Sequence, residues 1–162
     1  RYWDQRALLE SKIDGHFSKA YSYSQKAISL ERHPFAYNSL GTICMRQCIK
    51  TLESNQPEAM KFFLEGEDAL TSALNLSESS GRPYEHAFVT FFASASHVMR
   101  RIDPRNSSFN AVLDFYDIWL KRAEDSIVFN GEHGQRRLKN IKATLMKEKI
   151  RMESANNKLI EN

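Results

Sequence analysis

The chain has 162 residues, of which 41% are hydrophobic and 27% charged, with a net charge of +3. These are ordinary globular proportions with enough apolar material for a core, and 6 Gly and 4 Pro are too few for a turn-rich β-sandwich or barrel. Apolar stretches break well short of the roughly 18 residues that a membrane span needs, and no basic–apolar–small-residue signal opens the chain, so the reading is a cytoplasmic chain with no membrane partner.

Helical punctuation recurs from the start. Residues 1–13 carry Trp3, Ala7, Leu8 and Leu9, and "DG" at 14–15 breaks them. The chain begins with Arg rather than Met, inside this apparent helix, so it is expected to be a piece of a longer polypeptide, whose remainder is one expected partner. Residues 17–31 follow, with Phe17, Ala20, Tyr21, Ala27, Ile28 and Leu30 near the 3.6-residue period. Pro34 ends that run, because the residue before proline is pushed out of the helical region. A third helix is predicted over 35–53, with Leu40, Ile43, Cys44 and Leu52 inside. "SNQPEA" starts the fourth, over 57–76, with Asn55 or Gln56 ahead of Pro57 in the first turn.

"SESSGRP" (77–83) reads as a loop. The Phe-rich run "AFVTFFASASHVM" is long and poor in β-branched residues, which predicts a buried helix over 84–101 rather than a strand. "DPRNSS" offers Ser107 or Ser108 as the next N-cap. Residues 108–129 space Phe109, Val112, Leu113, Tyr116, Trp119, Leu120, Ala123 and Ile127 by threes and fours, and "NGEHG" (130–134) breaks them. The last helix, 135–155, sets Leu138, Ile141, Leu145, Ile150 and Met152 against basic residues. The expectation is an all-α chain of about seven helices with short loops. Its charge is uneven: residues 131–162 hold 8 Lys/Arg and 4 Asp/Glu, while the rest nets −1.

Self-comparison finds a repeat. Ala20, Ser24, Ala27 and Leu30 fall on Gly66, Leu70, Ala73 and Leu76, and Tyr37, Leu40, Gly41 and Cys44 open a second copy. The string resembles the tetratricopeptide repeat (TPR). Tyr37, Leu40 and Gly41 match its aromatic-x-x-Leu-Gly-x-x-Tyr first helix, with Cys44 in place of Tyr. Gly15, Phe17, Ala20 and Ala27 match its second helix, with Ser24 where an aromatic is expected. The step from Ala20 to Gly66 is 46 residues, 12 more than a standard repeat, so the third and fourth helices are expected to be long.

The resemblance implies one domain over 1–162, an antiparallel helix-pair right-handed α-solenoid, with repeats at about 1–33, 34–80 and 83–130 and a terminal helix at 132–155. Irregular helical repeats of this kind also look like the C-terminal sensor regions of large bacterial signalling ATPases of the STAND type, including antiviral ones. Family members bind peptides or folded proteins in the groove lined by their inner helices. Carried over to this chain, the groove residues are Asn38, Thr42, Met45 and Arg46, with Gln5, Leu9 and Lys12 in the first helix. Polar and positive residues there suit an extended peptide or an acidic terminus.

The search for chemistry is negative. There is no Gly-x-x-x-x-Gly-Lys-[Ser/Thr], Gly-x-Ser-x-Gly or Gly-x-Gly-x-x-Gly. The five histidines make no His-x-x-x-His pair, so no metal site is expected. Cys44 and Cys48 share a helical face and read as small buried side chains. No cofactor and no catalytic residue are expected in this segment. Two readings remain for the basic last helix: a solvated outer face, or a polyanion surface through Arg136, Arg137, Lys139 and Lys142. The function expected is a non-catalytic protein–protein interaction module, the scaffold or sensor part of a larger regulator. The alternative is a nucleic-acid-associated helical domain using 136–151.

Overall fold

A computed structural model describes residues 1–82 and 84–161. Among them the chain is all helical, with no strand. Seven α-helices occur, α1 (Tyr2–Glu10), α2 (Phe17–Leu30), α3 (Pro34–Thr51), α4 (Gln56–Ser79), α5 (Glu85–Arg101), α6 (Ser107–Glu124) and α7 (Glu132–Glu161), with a 3-10 turn at Ile127–Phe129. None of these helices is long and apolar enough to cross a membrane. The chain divides into two compact units, residues 1–94 and 95–162, and the boundary falls inside α5.

In the first unit, local chemistry sets the helix ends. Gly15 has φ +79° and Gly81 φ +69°, left-handed conformations that glycine adopts without a Cβ penalty. At the end of α4, Gly81 N–H donates to Glu78 O and Arg82 N–H to Ser77 O, a double bond pattern that satisfies the last carbonyls. The helix therefore runs into the stretch read as loop, of which Pro83 lies outside the described residues. His33 caps α3 by accepting from Phe35 N–H, with Pro34 in the first turn. Asn55 caps α4 by accepting from Glu58 N–H, as the Pro57 signal implied.

The most intimate packing described is between α3 and α4. A Cβ on Gly41 would lie 2.6 Å from Leu70 Cγ, and one on Gly66 would lie 3.2 Å from both Cys44 Cβ and Gly41 O. The two glycines thus let the two backbones meet. α2 leans on α3 through a cluster of Ala7, Ala20 and Ile43, and through Tyr21 and Ile28 packed against Leu40, Cys44 and Ala69. It also touches α4: Phe17 meets Phe62 edge-on at 4.9 Å, and Tyr21 Oη donates to Glu65 Oε1. Ser24, where the repeat has an aromatic, is fully buried and donates to Tyr21 O.

The second unit corrects three local readings. The N-cap of α6 is Asn106, not Ser107 or Ser108, because its Oδ1 accepts from Ser108 N–H at 2.8 Å. The helix expected to reach residue 129 stops at Glu124. Ser126 then caps the 3-10 turn, which buries Phe129 and leaves Ile127 64% exposed. On α7 the buried positions are Gly134, Leu138, Leu145 and Glu148. Ile150, expected on that side, is 55% exposed, since the spacing of fours and threes carries the face past it to Arg151.

Candidate functional site

The residues implied to line a groove separate into two groups. Gln5, Leu9 and Lys12, on α1 and just beyond it, are exposed, and Leu9 keeps 59% of its surface. Tyr2 (67%) and Ile13 (49%) are exposed in the same segment. They were not singled out in the sequence, although Tyr2 and Leu9 stand seven apart, the spacing of one helical face; Ile13 follows in the turn after α1.

The α3 residues do something else. Met45 is 1% exposed and belongs to the core, so it presents nothing to a partner. Arg46 is half-buried; its Nη1 donates to Leu8 O at 3.2 Å and to Ser11 Oγ. That guanidinium serves the C-terminal end of α1, where carbonyls lack intrahelical partners and attract a cation. Burial lowers the pKa of Arg46. One turn on, Lys50 Nζ lies 3.1 Å from Asp14 and 3.5 Å from Ser11 O. Thr42 and Asn38 are half-buried, and Thr42 Oγ1 is spent on Asn38 O at 2.9 Å. Asn38 Oδ1 is buried and has no partner.

For Arg46 the reason is that α1 packs directly on α3, whereas Met45 turns toward α4, where its Cγ would lie 3.2 Å from a Cβ on Gly66. The end of α1 covers the face that the resemblance implied was open.

A buried carboxylate anchors the same segment. Glu10, 7% exposed in its side chain, lies 2.7 Å from His16 Nδ1, 3.2 Å from Arg6 and 3.5 Å from Lys19. The His16 hydrogen bond holds its carboxyl below the ordinary value against the opposing effect of burial, and Lys19 and Arg6 add to the lowering. Two concavities flank the start of α3. One, of about 410 Å³, is lined by Trp3, Asp4, Leu30, His33 and Phe35 among others. The other, of about 690 Å³, includes Arg32, Phe35, Arg82 and Tyr84.

In the second unit the basic cluster expected on α7 is divided. Arg136 and Lys139 are exposed to solvent. Lys142 lies 3.4 Å from Glu124 Oε2, and the Arg137 guanidinium is half-buried 6.0 Å from the Phe129 ring centre. Cys44 and Cys48 are both buried and unpaired with each other, and burial pushes both thiols up to about 12. Among the described residues no group of three or more His, Cys, Asp or Glu stands close enough to hold a metal ion. Compared with protein-family models, curated proteins and solved structures, the chain matches none.

Proposed function

We propose that this chain is a non-catalytic protein–protein interaction module, a TPR-like α-solenoid of antiparallel helix pairs that serves as the scaffold or sensing part of a larger regulatory protein. The close approach of Gly41 and Gly66 supports the repeat reading, because those are the small-residue positions of the matched pattern. The observation that carries the function is the pair of exposed apolar side chains Tyr2 and Leu9 on α1, with exposed Ile13 in the turn after it and Gln5 and Lys12 beside them. Exposed apolar anchors beside polar side chains are what a bound peptide or protein surface requires.

The test is affinity capture from cells with the chain and with a Leu9→Asp/Lys12→Glu variant. Both side chains are exposed, so the melting temperature should hold while a co-purifying protein is lost. Capture of the same proteins by both forms would reject the α1 face. Arg46 is unsuitable for this test, because it holds α1 in place.

A second reading rests on charge. Residues 95–162 carry 13 Lys/Arg against 9 Asp/Glu, and Arg136 and Lys139 are free to meet a nucleic-acid backbone. It requires duplex or single-strand affinity that falls steeply with salt and is abolished by Arg136→Glu/Lys139→Glu. Weak binding that both forms share would dismiss it.

A further inference from the structure

A second group of positive charges in the second unit lies apart from Arg136 and Lys139. A concavity of about 470 Å³ is lined by Arg100, Arg105, Arg151 and Lys158. Its other lining residues include Pro104, Ser154 and Ala155, with no aromatic ring and no carboxylate among them. The four cations come from the end of α5, the α5–α6 loop and the second half of α7.

Two of them are engaged by neighbouring groups. Arg151 Nη2 donates to Met99 O at 3.0 Å and to Ile102 O at 3.1 Å, its Nη1 lies 3.2 Å from Glu148 Oε2, and its guanidinium sits 5.2 Å from the Phe109 ring centre. Arg105 grips Asp103 with both arms, Nε to Oδ1 at 3.0 Å and Nη2 to Oδ2 at 2.7 Å. Arg105, with a smaller contribution from Arg151, holds the Asp103 carboxyl down to about 2. These two carboxylates offset the two anchored guanidinium groups. Arg100 and Lys158 remain, with no side-chain partner among the described residues.

We propose that this concavity is a binding site for a compact anion bearing several phosphate groups. Most N–H donors of Arg105 and Arg151 are committed to Asp103, Met99, Ile102 and Glu148, so these two groups shape the concavity, and phosphate oxygens are met chiefly by Arg100 and Lys158. Arg100 and Lys158, unpaired among the described residues, supply the net charge. The volume falls within the roughly 300–1,000 Å³ of small-ligand sites. Without an aromatic wall there is no surface on which a base would stack, which favours the phosphate groups themselves over a nucleobase or a single strand as the recognised feature. Pro104 and Arg105 directly precede the α6 N-cap Asn106, so the positive end of that helix adds to the same region.

Tripolyphosphate is the probe, titrated calorimetrically into the 162-residue chain at physiological salt. Saturable one-to-one binding is expected. Arg100→Ala/Lys158→Ala removes only the two unpaired cations, so the melting temperature should hold while affinity falls at least about tenfold. Arg136→Ala/Lys139→Ala should leave the affinity unchanged. Absence of saturable binding overturns the site, and so does an equal loss in both double variants, which means diffuse attraction only. Displacement of tripolyphosphate by a DNA duplex that binds more tightly through Arg100 and Lys158 would instead assign the concavity to a nucleic-acid backbone.

Discussion

Gly134 shows how far a single residue can be constrained. A Cβ there would lie 2.5 Å from Phe129 Cα and 2.7 Å from Phe129 O. Backbone cannot yield as a side-chain tip can, and Gln135 Nε2 fastens the same carbonyl at 2.7 Å. Gly134→Ala is therefore expected to cost about 1–3 kcal/mol, whereas Gly131→Ala, with nothing within 4 Å, should stay within about 0.5 kcal/mol. Chemical denaturation of the two variants checks this. Glu10 makes a pH-dependent contribution. Its folded pKa is held below the ordinary 4.5, so its stabilisation is present above that value and is lost as pH falls through the depressed one. Thermal melts between about pH 6 and pH 3 should show an acid-side loss that Glu10→Gln flattens. Parallel curves for the two proteins would mean that Glu10 is not the titrating group. At this scale the sequence was informative wherever the cause was local. Asn55 and Pro57 marked the start of α4, and "DG" marked the turn that Gly15 makes. It misled at Met45, which packs toward Gly66 on α4, and at Arg46, which serves the end of α1.

α7 is where the element scale decides. Its buried residues follow Leu138, Leu145 and Glu148 rather than a broad apolar stripe, and Met146 and Ile150 face outward at 60% and 55% exposure. Leu145→Ala should cost about 2–4 kcal/mol, while Ile150→Ala should cost less than about 0.5 kcal/mol. Equal losses would place the apolar stripe of the sequence reading on the buried side after all. Arginines of the two units play one structural part: Arg46 caps the end of α1, and Arg151 caps the end of α5. Neither cap can be read from its own helix, because a side chain that serves a neighbouring helix leaves no mark at i±3 or i±4. The break after Glu124 was also hidden. Ile127 continued the apolar spacing, but Ser126 takes the backbone N–H of Val128 and the chain tightens into a 3-10 turn.

At the scale of the whole molecule, one helix carries the boundary between the two compact units. α5 is continuous from Glu85 to Arg101, with Phe91, Phe92, Ala95 and Val98 buried on either side of Ser94. Unbroken helical hydrogen bonds over buried side chains predict slow amide exchange through residues 92–97, measurable by hydrogen–deuterium exchange. Exchange there as fast as in the loops would mean that α5 is not stably formed across residue 94. Charge also divides at this scale: residues 1–94 hold 10 Lys/Arg and 11 Asp/Glu, so the net positive charge belongs to the second unit. The sequence by itself determined that the chain is all helical, where most helices begin and end, and that Cys44 and Cys48 are buried. Periodicity, capping and glycine turns act over a few residues, and their causes are printed next to their effects. Only the tertiary structure decided that α1 covers α3, that Ile150 faces outward, and that Arg100, Arg105, Arg151 and Lys158 line one concavity. Those outcomes depend on segments up to about 60 residues apart meeting in space, which no local spacing records.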